Sequence, residues 1–390
     1  MVHIFRVALL PYGNYWASYF ATVTLLQLKA LIVSKSAPKT VIAIHYEGSF
    51  VPFWKAYCDE RGYAYLIVDC TDDDIVSQIR DCSVLMWHFV HYGSANLLMA
   101  QQFLSALEHS GLFVFPEHLA RWHYDDKLAQ KYLFETLDLP ALQSFAFYDK
   151  ALATVWAESV DYPKVFKLRS GAGSSNVRLV KNEGDAKRLI RQAFSRGFAG
   201  FDMVQSLQER IRKWRKGKIG FNYVLKAAVR VLVPPAYVRT IGRHQGYILF
   251  QEFAPNNDCD IRVIVIGSKA FAIKRMVRDD DFRASGSGSI YYEREEFDEA
   301  VISLGFDCAR KLGASCVAMD FVKDARGQWR LIENSYAFSP SGYEPCPGYW
   351  DENLQWYQGP FDMYGWMVEF AVEQSQGQRR GVVTTAGEPN

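Results

Sequence analysis

The chain has 390 residues, enough for two or three domains with sizeable cores. Its net charge of +1 gives no compositional case for nucleic-acid binding, and its 22% of charged residues is ordinary for a folded, enzyme-sized protein. Seven cysteines, odd in number, widely spaced and without a C-x-x-C pair, argue against a disulfide framework or a zinc site and fit a reducing cytoplasm.

Residues 1–38 form an apolar extension. Tyr15 to Val33 carries Lys29 as its only charge, but Ser18, Thr22, Thr24 and Gln27 dilute it below the ~20 predominantly apolar residues of a spanning helix. An extra helix packed on the domain fits best; an anchor and a poorly ordered leader are the alternatives. Residues 39–120 read as a small parallel α/β unit. Strands at Val41 to His45, Tyr65 to Asp69, Val84 to Trp87 and Leu112 to Phe115 alternate with amphipathic stretches near Phe53 to Glu60, Asp73 to Arg80 and Ala95 to His109. Such sheets place ligands at the carboxyl ends of strands, which nominates His45 to Ser49 and His88 to Ser94, although histidines there also serve structure alone.

Tyr124 to Leu137 reads as a helix opened by Asp125 and Asp126. Pro163 to Leu168 and Val177 to Val180 are strands, and Arg169 to Asn176 between them is a glycine-rich hairpin loop. No G-K-[ST] and no helix follow, so it is not a Walker A loop. Its small residues allow backbone N–H groups to approach phosphates, and Lys167 enters it from the strand; a plain turn fits the same residues. Arg210 to Arg243 is a basic insertion. It reads as a solvated helical excursion, or more sharply as a surface for an acidic substrate, a macromolecule or anionic lipid.

Ile248 to Phe253, Ile261 to Ile266 and Ala270 to Val277 have strand length and β-branched content. A two-residue turn at Gly267-Ser268 makes opposed residue numbers sum to 535, so Asp260, Arg262 and Arg275 share a sheet face. That set suits a polyanion plus a hydroxyl; a solvated face with ordinary ion pairs fits it too. Phe297 to Leu312 is an amphipathic helix stopped by Gly313. Ser315 to Val322 and Gln328 to Glu333 are strands joined by a turn at Asp324 to Gly327, which places Asp320 opposite Leu331 and diagonal to Glu333. Ser335 falls on their face and Asn334 on the other. Two carboxylates so placed repel unless a cation lies between them, and Mg²⁺ is the hard ion they suit. Residues 346–390 are an aromatic-rich C-terminal segment, with Gln374 to Asn390 of disordered composition.

In their order, these residues resemble the ATP-grasp superfamily over roughly Tyr124 to Ser335: a helix Lys127, a strand Lys167 with a glycine loop, a Gln251-Glu252-Phe253 hinge, Asp260-x-Arg262, Arg275, Arg283, then Asp320 and Glu333. The nearest look is to the branch that adds glutamate to a ribosomal protein; glutathione synthetase and D-alanine–D-alanine ligase are similar at greater distance. The resemblance implies an α/β class fold of the α+β ATP-grasp type. The N-terminal α/β unit would precede two lobes that clasp ATP, over residues 121–345: a central lobe at about 121–200, the insertion at about 205–245 and a C-terminal lobe at about 246–345.

The resemblance also implies roles. Lys127 and Lys167 would contact ATP phosphates, and Ser170 to Ser175, with Gly171, Gly173 and Ser174, would close over them. Glu252 with the backbone of Phe253 and Ala254 would read adenine, and Asp260 would meet the ribose. Arg262, Arg275 and Arg283 would stabilise the transferring phosphoryl group, Arg283 at the γ-phosphate. Asp320, Glu333 and, more weakly, Ser335 would hold Mg²⁺, with Mn²⁺ as a substitute. The implied activity joins a carboxylate donor to an amine acceptor, anionic if the insertion holds it, through an acyl phosphate. A phosphotransferase and a nucleotide-binding scaffold without turnover are the alternatives. Membrane-surface contact rests on the basic insertion alone, and no nucleic-acid partner is expected. The family motif Glu-x-Asn is here Glu333-Asn334-Ser335, which puts the third metal ligand in doubt.

Overall fold

The computed structural model describes residues 40–89, 94–171, 176–200, 203–215, 217, 219–232, 242–277, 282–284 and 289–385. The apolar extension of residues 1–38 lies outside them. β1 (Val41–His45), α1 (Val51–Arg61), β2 (Ala64–Val68), β3 (Val84–Met86), α2 (Ser94–His109) and β4 (Phe113–Phe115) build a parallel sheet in the order β2-β1-β3-β4. Ile42, Ala43 and Ile44 are all fully buried, because helix crossovers cover both faces of such a sheet.

The next stretch makes a lobe on an antiparallel sheet. α3 (Lys127–Thr136) begins later than its acidic lead-in suggests, because the Asp126 carboxylate accepts from the N–H groups of Leu128 and Ala129 and so caps the helix from outside. It is followed by β5 (Ser144–Phe147), α4 (Lys150–Ser159), β6 (Lys164–Lys167), β7 (Val177–Val180), α5 (Glu183–Ala193), β8 (Phe198–Ala199), α6 (Met203–Arg215), α7 (Phe221–Leu232), β9 (Arg243–His244) and β10 (Ile248–Glu252). The sheet order is β5-β10-β6-β7. Ala153 and Ala157 of α4 and Ala186, Leu189 and Ile190 of α5 pack with Phe166, Ile248 and Phe250 on one sheet face. The basic insertion is a helical hairpin, α6 and α7, with β8 and β9 paired at its base.

The third sheet carries β11 (Cys259–Ile266), β12 (Lys269–Met276), β13 (Ile290–Tyr291), β14 (Cys316–Lys323), β15 (Trp329–Ser335), β16 (Gly348–Asp351) and β17 (Trp356–Gln358), with α8 (Glu299–Leu312) between β13 and β14 and α9 (Met363–Thr385) at the end. Its order is β15-β14-β11-β12-β16-β17, with β13 beside β12. Gly305 lets α8 lie close on β11, since a Cβ there would meet Val263 Cγ1 at 2.7 Å. The β11–β12 register, Asp260 against Arg275 through Ile266 against Lys269, is the one the two-residue turn dictates.

Two expectations are corrected. The β14–β15 connection is Asp324–Gln328, one residue longer than the turn assumed, with the Asp324 carboxylate accepting from the N–H groups of Arg326 and Gln328. Leu331 therefore pairs with Phe321 and faces the core, not Asp320. A bulge at Ile332 then brings Glu333 directly opposite Asp320. The tail is not disordered from Gln374: α9 runs to Thr385, and residues 386–390 lie outside the described ones. Met363, Tyr364, Met367, Val368, Ala371 and Val372 recur at helical spacing and are buried with Ile42, Ile44, Trp54 and Phe115. Polar composition at the end of the segment hid that period.

Candidate functional site

A cleft with about 1010 Å³ of open space, mouth included, lies between the two antiparallel sheets. One wall comes from β6 and β10 (Val165, Lys167, Gln251), the other from β11, β14 and β15 (Asp260, Arg262, Asp320, Val322, Glu333). The β10–β11 link contributes Phe253, Ala254 and Asn257 to the lining, and Arg283 also lines it, its guanidinium 6.0 Å over the Phe282 ring.

Because opposed residues share a face, four charges meet on the second wall. Arg275 donates to both oxygens of Asp260 (2.6 and 2.7 Å) and to Asp320 Oδ2 (2.8 Å). Arg262 donates to both oxygens of Asp320 (2.5 and 2.7 Å) and to the Tyr343 hydroxyl (3.3 Å). Burial alone would push the Asp320 carboxyl up; the two guanidinium groups outweigh it and hold it well below the usual carboxylate range. Asp260, assigned above to the ribose, has both oxygens engaged by Arg275.

The two lysines differ. Lys127 is buried, but Glu333 at 3.3 Å and Asp125 at 3.2 Å more than offset its desolvation, so its ammonium is held above its ordinary value. Lys167 is equally buried, yet among the described residues no carboxylate lies within ion-pair distance. Its Nζ donates at 3.4 Å to the carbonyl of Ile332, which also accepts from Gln251 Nε2 at 3.4 Å. Burial, only partly offset by Glu333 and reinforced by Lys127, pulls Lys167 down to about 8.

The start of the glycine loop is tied to α3. Gly171 N–H donates to the Asp125 carboxylate (2.9 and 3.1 Å), and Lys127 Nζ donates to the Gly171 carbonyl (3.1 Å). Ser170 Oγ meets His244 Nε2 at 3.1 Å, and Asn176 Nδ2 donates to the Gly200 carbonyl at 3.0 Å, so both ends of the loop touch the base of the helical hairpin. Gly173 and Ser174 lie outside the described residues.

The pleat separates Glu252 from Lys167. Val165, Lys167, Leu249 and Gln251 share the cleft face; Lys164 and Glu252 share the other, covered by α4 and α5. There Lys164 Nζ donates to both Glu252 oxygens at 2.8 Å. The Glu252 carboxylate is thus turned from the cleft, and what it offers the cleft is backbone.

Residues 213–337 match the family model described as the RimK-like ATP-grasp domain. A RimK domain ATP-grasp protein from Sphaerobacter thermophilus superposes with a TM-score of 0.50 at 13% identity, covering 85% of this chain and 100% of that one. The fold is ATP-grasp. The biotin carboxylase domain of 2-oxoglutarate carboxylase from Hydrogenobacter thermophilus, in complex with Mg-ADP, ADP and bicarbonate, gives a TM-score of 0.52 at 14% identity, over 85% of this chain and 69% of that one. An N5-carboxyaminoimidazole ribonucleotide synthetase in complex with ADP gives 0.51 at 15% identity, over 79% and 72%. No curated protein matches the chain by sequence.

Within this ATP-grasp fold, Lys164 escaped the sequence reading, while Asp125 was read only as a helix opener and Gln251 only as part of the hinge. The contact each makes is to a partner 46 to 88 residues away, which no local motif announces. The donors present suit a hard cation. Asp320 and Glu333 face each other on adjacent strands, and Mg²⁺ takes one or two carboxylates plus phosphate and water oxygens; here it would share Asp320 with Arg262 and Arg275, and Glu333 with Lys127. Among the described residues no group of three or more His, Cys, Asp or Glu is set to hold a metal. Ser335 Oγ donates to the Ala337 carbonyl (3.0 Å) and accepts from its N–H (3.2 Å), so its hydroxyl serves its own turn.

Proposed function

We propose that the protein is an ATP-dependent carboxylate–amine ligase. A substrate carboxylate oxygen takes the terminal phosphoryl group of ATP and ADP leaves. An amine then attacks the acyl carbon, phosphate departs, and the amine proton passes to solvent. The observation that supports this best is Lys167: a buried cation without a carboxylate partner among the described residues, across the cleft from a carboxylate pair. Such a cation is stabilised by an anion entering the cleft, and a polyphosphate does so along its length.

Lys127 and Lys167 hold the phosphates from the α3 and β6 side. Arg262 and Arg275 present guanidinium donors on the opposite wall, already oriented by Asp260 and Asp320, so little reorganisation accompanies charge build-up. Arg283 borders the same space. Asp320 and Glu333 would hold Mg²⁺, which supplies Lewis-acid withdrawal of charge from phosphoryl oxygens. Val165, Val322 and Ile332 provide apolar walls for a base, and the backbone of Glu252 to Ala254 supplies its edge contacts. The ATP-grasp fold and the RimK-like match agree with ligase chemistry.

The test uses hydroxylamine as a surrogate amine with candidate carboxylates and Mg-ATP. A hydroxamate with release of ADP and phosphate is expected, and Arg283→Ala should remove it while leaving most nucleotide affinity. AMP and pyrophosphate as products would exclude the mechanism. A stable phosphorylated product that yields no amide on adding the amine would assign the site to phosphotransfer instead.

A further inference from the structure

Charge is segregated in this chain. Residues 203–243 hold ten lysines and arginines against the single acid Glu209, so this segment is +9 and, with the chain at +1, the remainder is −8. The hairpin also exposes apolar side chains. Val224 and Ala227 of α7 are buried, whereas Phe221, Leu225 and Val229, spaced four apart and therefore one stripe, are 57%, 57% and 52% exposed. Trp214 of α6 is 42% exposed and sits with its ring centroid 5.3 Å from that of Phe221, forming an aromatic tip. Lys226 and Arg230, one position on from Leu225 and Val229, are exposed beside the stripe and have no carboxylate partner among the described residues.

We propose that the α6–α7 hairpin docks on an anionic lipid bilayer, with Phe221, Leu225, Val229 and Trp214 entering the headgroup boundary and Lys226 and Arg230 meeting lipid phosphates. An apolar stripe bordered along one side by bases, with a tryptophan at its edge, is the pattern of a helix lying in a membrane interface. A soluble polyanion would be served by the bases alone and gives no use to a solvated Phe-Leu-Val stripe. The −8 balance of the remainder makes the hairpin the segment that such a surface attracts most. No helix among the described residues is long and apolar enough to cross a membrane.

Co-sedimentation of the full chain with phosphatidylcholine vesicles, with and without phosphatidylglycerol, tests this. Partition onto the anionic vesicles should exceed that onto neutral ones by roughly tenfold or more and fall as salt rises. Two variants, F221S/L225S/V229S and K226E/R230E, should each lose roughly tenfold while keeping the far-ultraviolet dichroism and Mg-ATP binding of the parent. Bromolipid quenching of tryptophan emission should vanish in Trp214→Phe. Equal partition onto both vesicles, or a stripe variant that binds as the parent does, would overturn the proposal. So would tighter binding to RNA or polyglutamate than to vesicles, undisturbed by the stripe variant.

Discussion

Lys167 has the most at stake in its charge. Burial with Lys127 beside it brings it from 10.5 to about 8, so it is mostly protonated at neutral pH and loses its charge as pH rises through that value. A bound polyphosphate favours the charged form and raises the value again. Nucleotide binding should therefore take up a proton above about pH 8, and affinity should fall with rising pH across the same window. Calorimetry in buffers of different ionisation enthalpy measures the uptake, and Lys167→Arg, which keeps its charge, should abolish it. Glu252 makes the opposite case. Its carboxylate belongs to Lys164 on the helix-covered face. Glu252→Gln should leave nucleotide affinity within roughly threefold of the parent, well under the ~1.4 kcal/mol that a tenfold change represents. A larger loss would mean that the carboxylate turns into the cleft on binding.

At the level of elements, the bulge at Ile332 does two jobs. It returns Glu333 to the face of Asp320, and it aims a carbonyl at Lys167 and Gln251. Deleting Ile332 would restore an unbroken ladder and keep Glu333 opposite Asp320 while removing that carbonyl. Mg²⁺ dependence should persist and nucleotide binding weaken by roughly tenfold, the value of one hydrogen bond worth about 1.4 kcal/mol; loss of Mg²⁺ dependence would show that Glu333 had not kept its place opposite Asp320. This strand pair also marks where the sequence stops being legible. The β11–β12 register followed from Gly267-Ser268 because a two-residue turn leaves one pairing. The β14–β15 register did not, because the Asp324 carboxylate organises a longer loop and a bulge has no signature in an apolar run. Glu333 still reached the predicted face, since the longer loop and the bulge cancel; Leu331, which precedes the bulge, did not. The Lys164–Glu252 pair was out of reach for another reason: β6 and β10 are brought together only after the whole hairpin insertion has been traversed.

At the scale of the molecule, the core is shared rather than partitioned. The buried cluster that holds Ile42, Ile44, Trp54 and Phe115 of the parallel sheet and its helix is completed by Ile264 and Phe271 of the third sheet and by Met367, Val368 and Ala371 of α9. The alternation of strands and helices was readable in residues 41–115, but its dependence on distant segments was not, because apolar periodicity marks a face without naming what covers it. Ending the chain at Asp362 should therefore abolish the cooperative thermal transition of residues 41–120 as well as that of the last sheet, which differential scanning calorimetry would register; a separate, parent-like transition would mean the parallel sheet stands alone. The arrangement also has a consequence in time. A ribosome adds about 5–20 residues per second, so Phe115 emerges roughly 10–50 s before Met367 does. For that interval the first sheet to be synthesised must wait, uncovered, for the last helix. A stall between β4 and α9 would leave the strands of the parallel sheet open to aggregation.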